Sequence, residues 1–444
     1  MASLTYATVT TLGDFGPWIS KIILDLPHGV RAGDIAPDAF SAFCARRRRD
    51  GAIVMRKEKG SRVSLPSQGY IGIIDAYPCD EQGHRLAASS HLALETGEER
   101  LTKCIEGGVL GSQYVDCDIT VTQVREISVV DGPAPLSGLV FDELRASLCP
   151  ALERWNVGEM AEPIDGINLK YGYYEPDFSP ADPALAGPFA KPAPKPQKAA
   201  LLIYLHGAGE GTGEATWEGP ERAYTGNRVT ALSQNPIQGY FGGAAWVLVP
   251  QCPTFWMDDG VEQLGRSNRS IYVSALKALI DRFIAEHADR IDTSRIVIAG
   301  LSNGGFMTVR MCLDYPDFFA AGLPCCAPFF TENQTSQAIS ALAKTPLWFI
   351  HSKGDELVDP SDTALPLYHK LVEAGAEVHM TYFDHVEDLT GRYRESDGSP
   401  KKTFNHGVWI HQFNDFCRTD LDGTNVLVNG EPVSCWEWAA KVEK

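Results

Sequence analysis

A short glycine-rich stretch presents a serine that could act as a nucleophile. Residues 300–304 read Gly-Leu-Ser-Asn-Gly; they follow the apolar run Ile296–Ile298 and precede a segment of helical character, Phe306–Leu313. A strand, a G-x-S-x-G turn and a helix are together typical of a nucleophile elbow, whose sharp turn exposes the serine hydroxyl. Glycine suits this turn because a Cβ two residues from the serine would clash with the neighbouring strand or helix. We predict that Ser302 is a catalytic nucleophile; the alternative is an ordinary glycine-rich turn.

A second loop of small residues could stabilise negative charge close to that serine. Residues 206–211 read His-Gly-Ala-Gly-Glu-Gly and directly follow an apolar run that ends at Leu205. Small residues let the backbone turn sharply and direct its N–H groups into a cleft. We predict an oxyanion hole made of the backbone amides of Ala208 and Asn303, each contributing roughly 3–4 kcal/mol to a tetrahedral intermediate. The loop lacks phosphate-binding spacings, and His206 is expected to hold the loop rather than to bind a metal.

An acidic residue that could orient a histidine follows a later apolar run, Pro346–Ile350. Asp355 and Asp359 are both candidates, because a carboxylate at this point can hold a histidine ring through its Nδ1–H. Asp359 has a competing role as the N-cap of a helix that begins with Pro360. We therefore favour Asp355 as the catalytic acid.

The general base should be a histidine downstream of the acid, since Ser, Asp and His usually occur in that order. The candidates are His369, His379, His385, His406 and His411. His369 lies in a predicted helix and His379 in a predicted strand, so loop histidines are preferred. His406 follows a turn-forming Asn and precedes Gly, which favours it, and His385 remains the alternative.

The elements that would position these residues alternate between strands and helices. Apolar, strand-like runs occur at Ala200–Leu205, Ala244–Val249, Ile296–Ala299, Pro346–Ile350 and Val378–Phe383. Between them, apolar residues recur at helical spacing in 271–287, and a second helix is expected from Asp359 to Gly375. This alternation predicts a mostly parallel sheet with helices on both faces. Its active site should lie at the carboxyl ends of the strands, where the candidate residues occur.

The first 127 residues follow a different pattern. Short alternating or apolar runs are separated by turn signals, which predicts a small all-β sandwich. We therefore predict two domains, the sandwich at 1–127 and the catalytic domain at 128–444. Within the second, residues 128–165 are expected to be transitional, with a helix near Phe141–Leu148. A Pro-, Ala- and Lys-rich tract at 179–198 is expected to be an extended surface loop between adjacent strands of one sheet.

Composition restricts the classes of partner. The 444-residue chain carries 39 Lys and Arg against 57 Asp and Glu, a net charge of −18. Nucleic acids and anionic membranes attract basic patches, so neither is expected as a partner. No apolar run reaches the roughly 18 residues that a membrane span needs, and the N-terminus lacks a signal-peptide pattern. Eleven scattered cysteines without C-x-x-C spacing are expected to be reduced thiols of a cytoplasmic protein.

The order of the motifs resembles that of α/β-hydrolase esterases. The motifs are 206–211, Val249–Pro253 with Trp256, Gly300–Gly305, His351–Val358 and Asn405–Trp409. The set is most similar to bacterial carboxylesterases with an N-terminal immunoglobulin-like domain, related to poly(3-hydroxybutyrate) depolymerase-like and prolyl-oligopeptidase-like hydrolases. This resemblance implies Ser302 as nucleophile, Asp355 as acid and His406 as base. The chain departs from it at Asn405, where the family often has Gly, and at Asp359, where it often has Pro.

The activity expected from these residues is hydrolysis of short- to medium-chain carboxylic esters through an acyl-enzyme, without a metal or organic cofactor. Trp256 and Trp409 are candidates for the substrate pocket, and each could equally belong to the core. The same holds for three further aromatic residues near the motifs, Trp217, Phe255 and Phe306. A peptidase, a polyester depolymerase or acyltransferase of the same fold, and an inactive binding protein remain as alternatives. The β-rich domain could bind glycan, cover the cleft or pair subunits into a homo-oligomer.

Overall fold

The computed structural model describes residues 4–14, 16–48, 50–57, 62–97, 104–106, 112–130, 132, 134–179, 196–211 and 220–444. The chain divides into two compact units, Met1–Glu153 and Arg154–Lys444. This boundary lies later than the predicted one after residue 127, because Val140–Leu148 is a strand that pairs within the first unit. The helix predicted near Phe141–Leu148 is therefore wrong: its apolar spacing suits a helix, but pairing with two neighbouring strands overrides that preference.

The strands and helices follow one another along the chain with these bounds. The strands of the first unit are β1 Leu4–Gly13, β2 Gly16–Arg31, β3 Phe40–Arg47, β4 Met55–Lys57, β5 Ser64–Pro66, β6 Gln68–Ile71, β7 Ile73–Cys79, β8 Ala88–Thr96, β9 Cys104–Glu106, β10 Ser112–Tyr114, β11 Asp116–Gln123 and β12 Val140–Leu148. Those of the second are β13 Trp155–Glu159, β14 Lys170–Tyr174, β15 Ala199–Leu205, β16 Ala245–Gln251, β17 Ile291–Leu301, β18 Ala321–Cys325, β19 Leu347–Ser352, β20 Val378–Phe383, β21 Leu427–Val428 and β22 Glu431–Pro432. The helices are α1 Glu221–Thr225, α2 Ile237–Tyr240, α3 Val273–Glu286, α4 Asn303–Asp314, α5 Ser336–Leu342, α6 Ala364–Glu373, α7 Trp409–Phe413 and α8 Cys435–Lys441.

The first unit contains eight strands that are hydrogen-bonded to one another in the order β6-β3-β11-β12-β1-β2-β8-β7. β1 joins the two halves of this order, because it pairs antiparallel with β2 and parallel with β12. Alternation sets the faces: in β11, Cys117, Ile119 and Val121 are buried, whereas Asp116 and Asp118 are exposed. One apolar cluster contains side chains from both halves. The unit is therefore all-β with a core of its own.

The second unit contains an eight-stranded sheet in the order β13-β14-β16-β15-β17-β18-β19-β20. β14 runs antiparallel to both of its neighbours, and the strands from β16 to β20 pair in parallel. β15, β16 and β19 are buried along their whole length, which explains their nearly continuous apolar sequence. The strands that flank the Pro-rich tract, β14 and β15, belong to this sheet, but β16 lies between them. The prediction that they are adjacent is therefore wrong. Most of the tract, 180–195, lies outside the described residues.

The helices predicted at 271–287 from apolar spacing and from Asp359 to Gly375 from capping signals are both present, as α3 and α6. α3 buries Leu276, Leu279, Ile280 and Phe283 against the sheet. α6 follows a short turn capped by Asp359 and ends before Gly375, which has a φ of +75°. Within the described residues, no helix combines the length and the apolar character that crossing a membrane would require.

Candidate active site

Ser302 occupies a sharp turn between β17 and α4. Its φ of 51° and ψ of −116° form a combination that L-residues rarely adopt, and its N–H donates to Cys325 O at 2.8 Å. A Cβ on Gly300 would lie 2.4 Å from Gly304 O, and one on Gly304 would lie 2.0 Å from Leu205 O. Because these contacts are with backbone atoms, only glycine fits at either position. The G-x-S-x-G spacing therefore follows from the packing of the turn.

His406 lies between Ser302 and Asp355. Its Nε2 is 2.8 Å from Ser302 Oγ, and its Nδ1 is 2.9 and 2.8 Å from the two Asp355 oxygens. An ionised carboxylate can only accept, so Nδ1 carries the proton and Nε2 is free to accept from the serine hydroxyl. The loops that follow β17, β19 and β20 bring the three residues together at the carboxyl edge of the parallel strands.

Asp355 receives more donors than its sequence neighbourhood indicates. Its Oδ1 accepts the N–H groups of Leu357 and Val358, both at 2.9 Å, and its Oδ2 lies 3.1 Å from His351 Nε2. The side chains of Asp355 and His351 are fully buried. Burial favours the neutral carboxyl, but hydrogen bonds from His351 and His406 outweigh it and lower the pKa of Asp355 below its usual value. The acid is therefore ionised throughout the range in which a histidine titrates.

The environment of His406 shifts its titration in the opposite direction. Burial disfavours the protonated ring, whereas electrostatic interaction with Cys326 and the hydrogen bond and charge of Asp355 favour it. Together these effects raise the pKa of His406 to about 8 from the usual 6.5. The neutral form of this ring, which can accept a proton, therefore predominates only in mildly alkaline solution.

The turn that carries His406 is fastened to the loop after β19. Ser352 Oγ donates to Asn405 O at 2.9 Å, and the Glu356 carboxylate accepts the N–H groups of Asn405 and His406 at 3.1 and 3.4 Å. Asn405 Oδ1 in turn accepts the N–H of Val386 at 2.9 Å. Asn405 thus helps to hold the turn.

The remaining acid and base candidates make other contacts. His385 Nε2 is 2.9 Å from Glu387, and His379 Nδ1 is 2.7 Å from Asp420. Asp359 accepts the N–H of the residue two positions later and caps the following turn, as its competing role predicted. The structure thus brings His406 and Asp355 to the serine, and neither His385 nor Asp359.

The predicted oxyanion loop lies against the elbow. Ala208 begins the short 3-10 turn Ala208–Glu210, and Asn303 begins α4. The first N–H groups of a helical turn have no acceptor inside that turn, so neither amide is used within its own element. Gly304 packs directly on the backbone of Leu205 and His206. This contact places the first turn of α4 against the residues that lead into the turn Ala208–Glu210.

His206 connects the oxyanion loop to the next strand. Its Nδ1 is 2.7 Å from Gly207 O, and its Nε2 lies 3.1 Å from Cys252 N, whose hydrogen it accepts. Burial lowers the pKa of His206 to about 4, so the ring is neutral and has one donor and one acceptor, as these bonds require. This is the loop-holding role expected from the sequence.

The two tryptophans predicted to bind substrate have different surroundings. Trp256 is fully buried in the core, with its ring against His206 and Tyr272, so it offers no exposed face to a substrate. Its contribution is through the backbone, because its N–H donates to Asn303 Oδ1 at 2.6 Å. Trp409 instead stands edge-on to His406, with 5.5 Å between ring centroids. Phe306 is also buried in the core, and Trp217 lies outside the described residues.

One group of potential metal ligands occurs among the described residues, formed by Cys326, Asp355 and His406. The ligand atoms lie within 4.8 Å of one another. Asp355 and His406 already form a hydrogen bond, so their proximity is explained without a metal. We assign no metal to this group.

The α/β-hydrolase class is defined by a mostly parallel sheet, a serine elbow after a central strand, and an acid and a histidine on later loops. The second unit has this fold, as the alternation of strands and helices predicted. Residues 190–389 match the phospholipase/carboxylesterase family. This part of the chain is thus similar to hydrolases of the carboxylesterase type.

Two individual proteins show how far the similarity extends. A poly(3-hydroxyalkanoate) depolymerase C of Paucimonas lemoignei is 35% identical over 77 residues, which is 16% of this chain and 18% of the relative. The chain thus matches less than a fifth of that relative's length. A solved structure of a thermostable esterase covers 99% of this chain and is itself covered completely, with a TM-score of 0.72 and 19% identity. At that identity the similarity extends to the fold and not to the substrate.

Proposed function

We propose that this hydrolase is a serine carboxylesterase acting on short- to medium-chain acyl esters. The observation that carries the proposal is the continuous hydrogen-bond path from Asp355 through His406 to Ser302 Oγ, at 2.8 to 2.9 Å. Acyl transfer requires a nucleophile, a base beside it and an acid behind the base. Ser302, the Nε2 of His406 that faces it and the ionised Asp355 would fill these three roles.

The reaction proceeds through an acyl-enzyme. His406 Nε2 takes the hydroxyl proton as Ser302 Oγ attacks the ester carbonyl, and the amides of Ala208 and Asn303 stabilise the oxyanion that forms. Collapse of this intermediate breaks the bond to the alcohol, which leaves with the proton from His406. Water then repeats the sequence on the acyl-enzyme and releases the acid. Asp355 keeps the ring oriented and stabilises its protonated form.

A polyester depolymerase is the second candidate, favoured by the local match to the depolymerase named above. Both candidates use the same three residues, so they differ only in whether the ester is soluble or part of a polymer. Hydrolysis of soluble short esters without binding to poly(3-hydroxybutyrate) granules would support the carboxylesterase.

The test is a panel of p-nitrophenyl esters and aminoacyl anilides assayed with wild type and three variants. Ser302→Ala and His406→Ala should lower kcat by about 10⁴-fold or more, and Ser302→Ala should lose labelling by a fluorophosphonate. His385→Ala is the matched control and should behave as wild type. Faster cleavage of anilides than esters would indicate a peptidase, and an inactive His385→Ala with an active His406→Ala would overturn the assignment of the base.

We also propose that the first unit is immunoglobulin-like. Taking β1, β2, β3, β6, β7, β8, β11 and β12 as strands A, B, C, C′, D, E, F and G, its order becomes D-E-B-A followed by G-F-C-C′. Those are the two sheets of immunoglobulin domains, with A pairing on both sides. A crystal structure with a different strand order would contradict this proposal.

A further inference from the structure

One buried acidic side chain beside the elbow has no part in the reaction proposed above. Glu210 ends the turn Ala208–Glu210 and is only 5% exposed. Its Oε2 accepts the N–H of Gly207 at 2.9 Å, so the carboxylate closes the turn on the residue just before Ala208. Burying a carboxyl group costs free energy unless its partners offset the loss of water.

The surroundings restrict this carboxylate tightly. A Cβ on Gly226 would lie 2.8 Å from Glu210 Oε1, and Gln251 Nε2 donates to the backbone O of Glu210 at 2.8 Å. Burial raises the pKa of Glu210 to about 7, while the Gly207 N–H and the charge of buried Arg222 act against that shift. Hydrogen bonds therefore hold the backbone oxygen of Glu210 and one of its two carboxylate oxygens.

The same carboxylate also connects with the aromatic residue beside the base. The side chain of Asn227 interacts with Glu210, and its Oδ1 accepts the Nε1–H of Trp409 at 3.2 Å. The Trp409 ring in turn contacts His406 edge-on. Glu210 thus contacts the loop that would hold the oxyanion and, through Asn227, is connected to Trp409, the aromatic residue beside His406.

We propose that Glu210 is a positioning residue for the oxyanion hole, one that anchors the His206–Gly207 peptide through the Gly207 N–H and so directs the next amide, the Ala208 N–H, at the developing oxyanion. This inference rests on the proposed function. The role of the side chain is to accept the Gly207 N–H, for which one correctly placed oxygen is sufficient. Because the oxyanion exists only in the transition state and the intermediate, a loosened loop lowers kcat and leaves KM unchanged.

The experiment compares Glu210→Ala, Glu210→Asp and Glu210→Gln in the full chain, with a short p-nitrophenyl ester. Ala removes the acceptor, Asp withdraws it by one methylene group, and Gln keeps an oxygen in place. Active sites are counted by fluorophosphonate labelling, so that kcat refers to correctly folded protein. Affinity for an alkyl trifluoromethyl ketone, which forms a tetrahedral adduct with the serine, reports the oxyanion hole directly. Asp415→Asn is the matched control, because Asp415 is a buried carboxyl that contacts Tyr240 and Arg418 instead.

We expect Glu210→Ala and Glu210→Asp to lower kcat by about 10- to 100-fold, less than loss of an oxyanion donor itself, with KM within about twofold of wild type. Affinity for the ketone should fall by the same factor, and Glu210→Gln should restore both quantities. Asp415→Asn should lower thermal stability without changing kcat per labelled site.

Two kinds of result would overturn the inference while leaving the proposed function intact. One is a wild-type kcat per labelled site in Glu210→Asp, and the other is a Glu210→Gln protein as impaired as Glu210→Ala. Failure of the proposed function is recognised separately, because wild type would then not hydrolyse esters or Ser302→Ala would retain activity.

Discussion

Replacing Gly304 by Ala tests whether the elbow and the oxyanion loop behave as one packed unit. The added Cβ would lie 2.0 Å from Leu205 O, 2.4 Å from Leu205 C and 2.6 Å from His206 O. All three are backbone atoms, so no side-chain rotation relieves the contact. Cβ atoms in proteins stay at least 3.0 Å from such neighbours, so the chain at Leu205 must retreat by about 1 Å, a shift large enough to affect catalysis.

That displacement acts mainly on the reaction rate. Ala208 follows Leu205 by three residues, so its amide moves away from the amide of Asn303. A misplacement of about 1 Å costs on the order of 100-fold in rate, and overpacking costs about 1–3 kcal/mol of stability. We therefore expect kcat to fall about 100-fold and the thermal midpoint to fall by a few degrees.

The assay is ester hydrolysis per labelled active site, together with thermal unfolding followed by circular dichroism. Gly69→Ala is the matched control, because a Cβ there meets no atom within 4 Å, and it should equal wild type in both measurements. A Gly304→Ala protein that folds and keeps the wild-type kcat would refute the reasoning, since the contact would then have been relieved without moving the oxyanion loop.

Three further predictions concern the base and its acid. Between pH 5 and about 9.5, kcat/KM should rise with a midpoint near 8 and level off above about 9, because the neutral ring is the proposed base and the pKa of His406 is raised to about 8; a midpoint at the usual 6.5 would contradict this. Asp355→Asn should lower kcat by about 10⁴-fold, measured on the same ester, and a loss below tenfold would show that the acid is dispensable. His351→Asn should lower kcat about tenfold, because a hydrogen bond to a buried carboxylate contributes about 1.5–3 kcal/mol and only part of it acts on the ring; unchanged kinetics would assign His351 to packing alone.

The features that the sequence predicted best are those determined by neighbouring residues. The elbow needs glycine two positions before and after Ser302, and this requirement is visible in five consecutive residues. Asp355 was preferred over Asp359 because Asp-Pro is a local capping signal, and Asp359 does cap the following turn. Buried parallel strands are likewise recognisable, since both of their faces are apolar.

The features that were missed depend on contacts between distant parts of the chain. Glu356 binds the turn of His406 from 50 residues away, and no spacing rule connects the two. The helical spacing near Phe141–Leu148 conceals a strand that pairs with β11 and with β1, and β1 lies at the start of the first unit, far away in sequence. Trp256 lies close in sequence to the motif Val249–Pro253, but its burial depends on core residues contributed by other segments.

The separation of the serine from its base along the chain determines when activity can arise. Ser302 and His406 are 104 residues apart, and β18, β19 and β20 lie between them. The base reaches the serine only after these strands have paired, which is a slow, non-local event. Under the proposed mechanism, Ser302 therefore lacks its base and is unreactive in a partly folded chain. Esterase activity should accordingly be among the last properties to return on refolding, after tryptophan fluorescence has reached its native value.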